Sequence, residues 1–182
     1  SFLMHDDRAY WHAINIALNA SPLVYKLYGF FDTGKAAWSA RATELKHAGA
    51  GEEIIERLKN ARAKIDIFKE YEQLEKHGIT LITLKNSAEY PSLLAHVTNP
   101  PPILYCRGAI PKKDIPFPIA IVGSRKATKE GLHTAESLCE ELIRAGCTLI
   151  SGLALGIDAQ AHKQAIAQNA ATIAVLGSGV SD

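Results

Sequence analysis

No stretch of this 182-residue chain holds the roughly 20 consecutive apolar residues of a membrane span. Its opening run, SFLMHDDRAY, lacks the basic-then-apolar order of a signal peptide. These two absences predict a cytoplasmic protein. Cysteine is scarce: Cys106, Cys139 and Cys147 are odd in number, with no CxxC pair and no second ligand at zinc spacing. They are expected to be reduced, structural thiols, and no metal or other cofactor is implied. Net charge is also small, a formal +1, which argues against both a histone-like polycation and an acidic tail. Any nucleic-acid site must therefore be a local patch. The phosphate-binding motif GxxxxGK[ST] does not occur, which argues against a P-loop NTPase. The GxG of Gly177 and Gly179 has no third glycine and follows the last strand of its unit, so it is a weak dinucleotide signal. What remains is the ordinary make-up of a globular protein, 47% apolar and 21% charged, with no internal repeat.

From Tyr10 to about His77 the apolar residues recur at helical spacing, broken at Ser21-Pro22, Gly29, Asp32-Thr33-Gly34 and Gly49-Ala50-Gly51. The pattern predicts several short helices and then a longer one from Glu52, with Ile54, Ile55, Leu58, Ile65, Phe68, Tyr71 and Leu74 on one stripe and a stop at His77-Gly78. After Gly78 the grammar changes. A β-rich run from Thr80 to Leu84 precedes the turn-prone Ser87-Ala88-Glu89-Tyr90-Pro91, and Pro100-Pro101-Pro102 holds the chain extended before a second strand at Ile103 to Cys106. From Ile119 strands and helices alternate: strand 119–123, helix 130–145, strand 147–151, helix 158–168, strand 172–176. The strands IAIVG, TLIS and TIAVL are almost wholly apolar, as strands covered on both faces are. The expectation is an α/β protein: a helical domain over 1–77, then a doubly wound parallel sheet over 78–182. A doubly wound sheet normally continues beyond its first strand on the other side, so half the sheet is expected to be absent, and an exposed edge strand should favour a homodimer.

In such sheets ligands sit outside the carboxyl ends of the strands. Three loops converge there. Gly123-Ser124-Arg125-Lys126 brings a hydroxyl, a guanidinium and an ammonium to the end of the first strand, with amides expected near the positive end of the next helix. Arginine suits phosphate there because its planar fork matches two oxygens at once. The second loop, Ser151 to Asp158, has Gly152 and Gly156 to let backbone approach a ligand, and Asp158 placed to cap the following helix. The third is Gly177-Ser178-Gly179. Around the first loop stand Arg107, Lys112, Lys113, Arg125, Lys126 and Lys129, against Asp114 and Glu130, a patch suited to a nucleic-acid backbone of any sequence. Asp158 and His162, one helical turn apart, together with Ser124 or Ser151 invite a hydrolase triad. No GxSxG elbow accompanies them, and the pair reads better as local support that stiffens the second loop.

The segments IAIVGSR, SGLALGIDAQAH and TIAVLGSG resemble, in order and spacing, the DNA-processing protein A family (DprA, also called Smf). The resemblance extends upstream through GITLITLKNSAEYPSLL and NPPPILYCRG, while residues 10–77 are similar to the family's sterile-alpha-motif-like domain in size and layout. It implies an extended Rossmann-type domain that binds and protects single-stranded DNA and helps load the RecA recombinase during natural transformation, without catalysis. On this resemblance Gly123, Ser124 and Arg125 are the family's GSR motif, and Ser151, Gly152, Ala154, Gly156, Ile157 and Asp158 its SGxAxGID motif. Arg107 and Lys163 are implied members of the basic groove. Where the family has a glycine before its third strand this chain has Asn169, which can take the same left-handed turn. The family's Tyr-Pro segment, further strands and surfaces for self-association and RecA would follow Gly179. The competing expectation is a nucleotide-processing hydrolase of the lysine-decarboxylase-like phosphoribohydrolase type, which shares the sheet order. Arg125 and its lysine neighbours suit an open polyanion better than a closed nucleotide pocket. A third is a protein-interaction module built on the helical part.

Overall fold

The computed structural model describes residues 2–86, 88–109, 114–177 and 179–180, with the backbone alone for 2–6. The chain forms two compact units, Ser1–Lys113 and Asp114–Asp182.

Six helices begin the first unit: α1 Phe2–Leu18, α2 Leu23–Phe30, α3 Gly34–Ser39, α4 Ala42–His47, α5 Glu52–Lys64 and α6 Ile67–Lys76. Their breaks have local causes. Asn19 and Ala20 take left-handed φ values of 51° and 52° after α1, and the Thr33 hydroxyl caps α3 by accepting from Ala36 N at 3.1 Å. The single long helix expected from Glu52 is two helices. Asp66 interrupts it, because its carboxylate accepts from Lys69 N at 3.2 Å as the N-cap of α6 while Ile65 turns extended. Periodicity carries no trace of the interruption, since Ile54, Ile55, Ile65 and Ile67 all still pack on the same core around Trp11, Ile14, Leu18, Leu27, Leu45 and Leu58.

Strand β1, Ile79–Thr83, pairs antiparallel with β2, Ile103–Arg107, with Leu81 opposite Tyr105; the short α7, Ser92–Ala95, lies between them in sequence. The change of grammar at Gly78, expected to open a new domain, falls inside this first unit. Polar contacts bind the hairpin to the helices. Tyr105 Oη lies 2.9 Å from His12 Nδ1 and accepts from Asn15 Nδ2 at 3.0 Å, both on α1. Lys85 donates its backbone N–H to Tyr28 Oη at 2.7 Å, and its Nζ donates to the carbonyls of Phe31 and Asp32 at the end of α2. Arg8 on α1 pairs with Glu89 at 2.8 Å. Burial holds His12 down at about 4 and pushes Tyr105 up to about 12, so both are neutral over the physiological range.

The second unit is β3 Pro118–Ala120, α8 Lys129–Arg144, β4 Thr148–Ser151, α9 Ile157–Ala167 and β5 Thr172–Ala174. The strands are parallel in the order β3-β4-β5, with Ile119 beside Leu149 and Ser151 beside Ala174. That is the run of neighbouring βαβ crossovers read from the sequence. Leu149, Cys139, Ala161 and Ala165 are fully buried at its centre. Thr128 caps α8 through Gly131 N, and Asn169, at φ 51°, makes the left-handed turn where a glycine was the alternative. All three cysteines are unbonded thiols. Among the described residues no helix is long and apolar enough to cross a membrane.

Candidate nucleic-acid interface

The first two loops at the carboxyl edge of the sheet are interlocked, and Asp158 is the bolt. Gly123 N donates to its Oδ1 at 3.3 Å and Gly152 N to its Oδ2 at 3.0 Å, with the residue only 6% exposed. One buried carboxylate therefore ties the end of β3 to the end of β4. Ile157 N donates to Ser124 O at 3.2 Å, and Val175 N to Ser151 O at 2.8 Å, which adds the third loop. Glycine is required where the loops meet. Gly156 sits at φ 82°, and a Cβ on it would lie 2.1 Å from Ser124 O; one on Gly123 would lie 2.6 Å from Ile157 Cγ1.

This geometry corrects several expectations. Asp158 is not the N-cap of the helix that follows. That position is Gly156, and Asp158 reaches back from the first turn of α9 to the loop amides. The amides of Gly123 and Gly152 are consequently occupied by an internal anion and do not face a ligand. Nor does Gly123-Ser124-Arg125 begin α8, because Thr128 is its cap and the loop ends before it. Ser124 Oγ accepts from Lys126 N at 3.1 Å and closes a local turn. Ser151, expected among the ligand-binding residues, is 4% exposed, and its hydroxyl donates to Ile121 O at 2.6 Å, so it joins β4 to the end of β3 and does not reach the surface.

His162 also points inward. Its Nδ1 lies 2.8 Å from Thr172 Oγ1, and that hydroxyl donates to Leu149 O at 3.0 Å. Since the hydroxyl has a single proton, Nδ1 carries the proton of the ring and donates to Thr172. Nε2 is buried with no hydrogen-bond partner among the described residues. Burial lowers the His162 pKa, against opposing pulls from the Asp158 carboxylate and the Ser151 backbone. Ser151, Asp158 and His162 thus each hydrogen-bond elsewhere, and they do not form a proton relay.

The cations face outward. Ser124, Arg125, Lys126 and Lys129 are exposed along the first loop and the start of α8. Lys163 is exposed in the second turn of α9, beyond the interlocked loops. Arg107 ends β2 in the other unit. Lys112, Lys113 and Ser178 lie outside the described residues. Of the expected site, then, the structure joins Gly123, Ser124, Gly152, Gly156 and Asp158 into one rigid support beneath Arg125.

Sequence reading missed the cleft beside that support. It has a volume of about 520 Å³ and is lined by Arg125, Gly152, Leu153, Ala154, Leu155, Leu176 and Gly177. Its one signal was the run GLALG, where leucines stand between two glycines with nothing polar among them.

Comparison with known proteins follows the same outline. A family model described as DNA recombination-mediator protein A matches residues 81–182. Protein Smf of Synechocystis sp. is 33% identical over 184 residues, covering 98% of this chain and 46% of its own length. DNA processing protein DprA of Bacillus subtilis is 31% identical over 131 residues, 68% of this chain and 44% of that protein. The chain therefore spans about half the length of the relatives it matches. The X-ray structure of DNA processing protein A from Streptococcus pneumoniae is similar over 96% of this chain and 59% of that one, with a TM-score of 0.74 at 21% identity, which shows a shared fold.

Proposed function

Because the chain belongs to the DNA recombination-mediator protein A (DprA/Smf) family, we propose that it holds the phosphates of single-stranded DNA on the Arg125 edge of its parallel sheet. The observation that carries this is the contrast within the first loop. Its backbone is locked by Asp158, while the Arg125 and Lys126 side chains it supports are exposed. With the backbone of the turn already fixed, only the Arg125 side chain has to be ordered when its planar fork closes on a phosphate. Affinity comes chiefly from the side chains, since the Gly123 and Gly152 amides already serve Asp158 and the Lys126 amide serves Ser124 Oγ. Lys126, Lys129 and Lys163 extend the cationic track within this unit, which follows a backbone and is indifferent to base order.

On this proposal the protein works in the cytoplasm without a cofactor, protects incoming single strands during natural transformation, and passes them to a RecA-type recombinase. Residues 1–77 are its sterile-alpha-motif-like part, and self-association accompanies the handover. Hydrolysis of nucleotides fits less well, because Ser151, Asp158 and His162 are each engaged in holding the sheet edge together. Fluorescence anisotropy with single- and double-stranded oligonucleotides of equal length, beside a nucleotide-hydrolysis assay, tests the choice. Preferential single-strand binding with no hydrolysis is expected. Turnover of a nucleotide without oligonucleotide binding would reverse it.

A further inference from the structure

Strand β5 is an edge: among the described residues it pairs with β4 alone. The ladder fixes its inward backbone groups, since Ala171 O accepts from Leu149 N at 3.3 Å and Val175 N donates to Ser151 O at 2.8 Å. The two-residue period of a strand then turns the N–H and C=O of Thr172 and Ala174 outward, away from β4. Edge strands that must stay single usually carry lysine or proline. The run from Asn169 to Gly177, NAATIAVLG, has neither, and no charge of any kind. Ala171 and Ala174 are exposed along it. The helix above leaves the same side open. α9 lies over the β4–β5 pair, bonded to Gly152 through Asp158 and to Thr172 through His162. Gln164 donates to Glu136 of α8 at 2.8 Å, so that side of α9 is taken. Ile166, two residues and about 200° further round the helix, stands on the opposite side and is 69% exposed.

We propose that β5 pairs antiparallel with β5 of a second copy of this chain, about a twofold axis at Ile173, to make one continuous sheet. In that register Thr172 exchanges both backbone hydrogen bonds with the partner's Ala174, and Ala174 with the partner's Thr172, which satisfies the outward groups of both strands. Ile173 meets the partner's Ile173 in the close, non-hydrogen-bonded position, a favourable β-branched pair. Two observations favour a second copy as the occupant. A twofold axis sets the run against itself, and NAATIAVLG brings no like charges together when doubled. Strands are also spaced about 4.8 Å, so two α9 helices, each over its own β4–β5 midline, come to lie about 10 Å apart, which is helix-packing distance, with Ile166 turned toward the seam. A lone peptide strand would fill the edge but bring nothing to cover Ile166. The contact does not rest on the phosphate reading, and it gives the self-association proposed above a surface.

The test is sedimentation velocity on the full chain over a wide range of concentration, where wild type is expected to dimerise reversibly. Ala174→Lys sets two ammonium groups within diagonal reach across the axis and should weaken the dimer at least about tenfold, as should Ala174→Glu with its two carboxylates. An equimolar mixture of the two variants should recover a heterodimer at near wild-type affinity, which misfolded chains cannot do. Ala174→Pro removes an outward N–H and spares the ladder to β4, so it should give a monomer with the circular dichroism of wild type. Arg125→Ala should leave the dimer unchanged. A wild type that stays monomeric overturns the assignment, and so does a mixture of the two charged variants that forms no heterodimer. A dimer that neither Ala174→Lys nor Ala174→Glu weakens overturns it as well, and places self-association on another surface.

Discussion

Asp158→Asn changes one atom in size and shape hardly at all, yet it should loosen the whole sheet edge. The wild-type carboxylate accepts two backbone N–H groups, from Gly123 and Gly152, in a site 6% exposed. Hydrogen bonds to a charged acceptor contribute about 1.5–3 kcal/mol each. The carboxamide keeps one acceptor oxygen and turns a donor toward the other amide, so one bond is lost outright and the other falls to the neutral range. The expected loss is about 2–4 kcal/mol, a large part of the stability of so small a unit. The two tryptophans make the assay selective, because Trp11 and Trp38 both lie in the first unit. Urea unfolding followed by helical circular dichroism should show the second unit melting roughly 1–3 M earlier, while the tryptophan transition keeps its midpoint. Amide exchange at Gly123 and Gly152 should accelerate most. If those two amides exchange as slowly in Asp158→Asn as in wild type, the carboxylate is not the bolt.

Gly156→Ala places a Cβ 2.1 Å from Ser124 O at φ 82°, so it should abolish oligonucleotide binding and destabilise by at least about 3 kcal/mol in thermal unfolding; a wild-type midpoint would rule out the contact. Thr172→Val removes the acceptor of the His162 Nδ1 proton and should cost about 1–3 kcal/mol, read from the circular-dichroism transition of the second unit. Acid should weaken the first unit through His12, whose folded pKa of about 4 lies below the ordinary 6.5: the neutral form is favoured in the fold, so its contribution is complete above pH 6.5 and is lost as pH falls toward 4. By pH 5 the loss is about 2 kcal/mol in tryptophan-detected unfolding, and His12→Gln should remove that slope between pH 7 and 5.

The sheet of the second unit was legible because its strands are continuous apolar runs and its helices have caps and periodic stripes, from Thr128 to the left-handed Asn169. Arg125 stood out in the sequence for a different reason, since a guanidinium just after a buried strand has few structural uses, and the structure leaves it exposed on the first loop. The direction of Ser151 was not legible. A serine at a strand end can face solvent or a neighbouring carbonyl, and only the register of β3 against β4 sets its hydroxyl on Ile121 O. Asp158 looked like a cap because aspartate before a helical run usually is one, whereas its partners lie 35 and 6 residues away and are brought to it by the crossover. The break at Asp66 left the hydrophobic period intact, so no pattern could show it. The hairpin's attachment to α1 rests on Tyr105 meeting His12 and Asn15 some ninety positions earlier, a contact that no local spacing carries.

On the proposed function, Arg125 holds phosphate from a turn fastened by Asp158. Titrating a single-stranded oligonucleotide across salt concentrations, with wild type and Arg125→Ala side by side, addresses it most directly. Loss of one phosphate contact should weaken binding for every sequence and flatten the slope of log K against log salt by about 0.7. A variant with unchanged affinity and unchanged slope would contradict it.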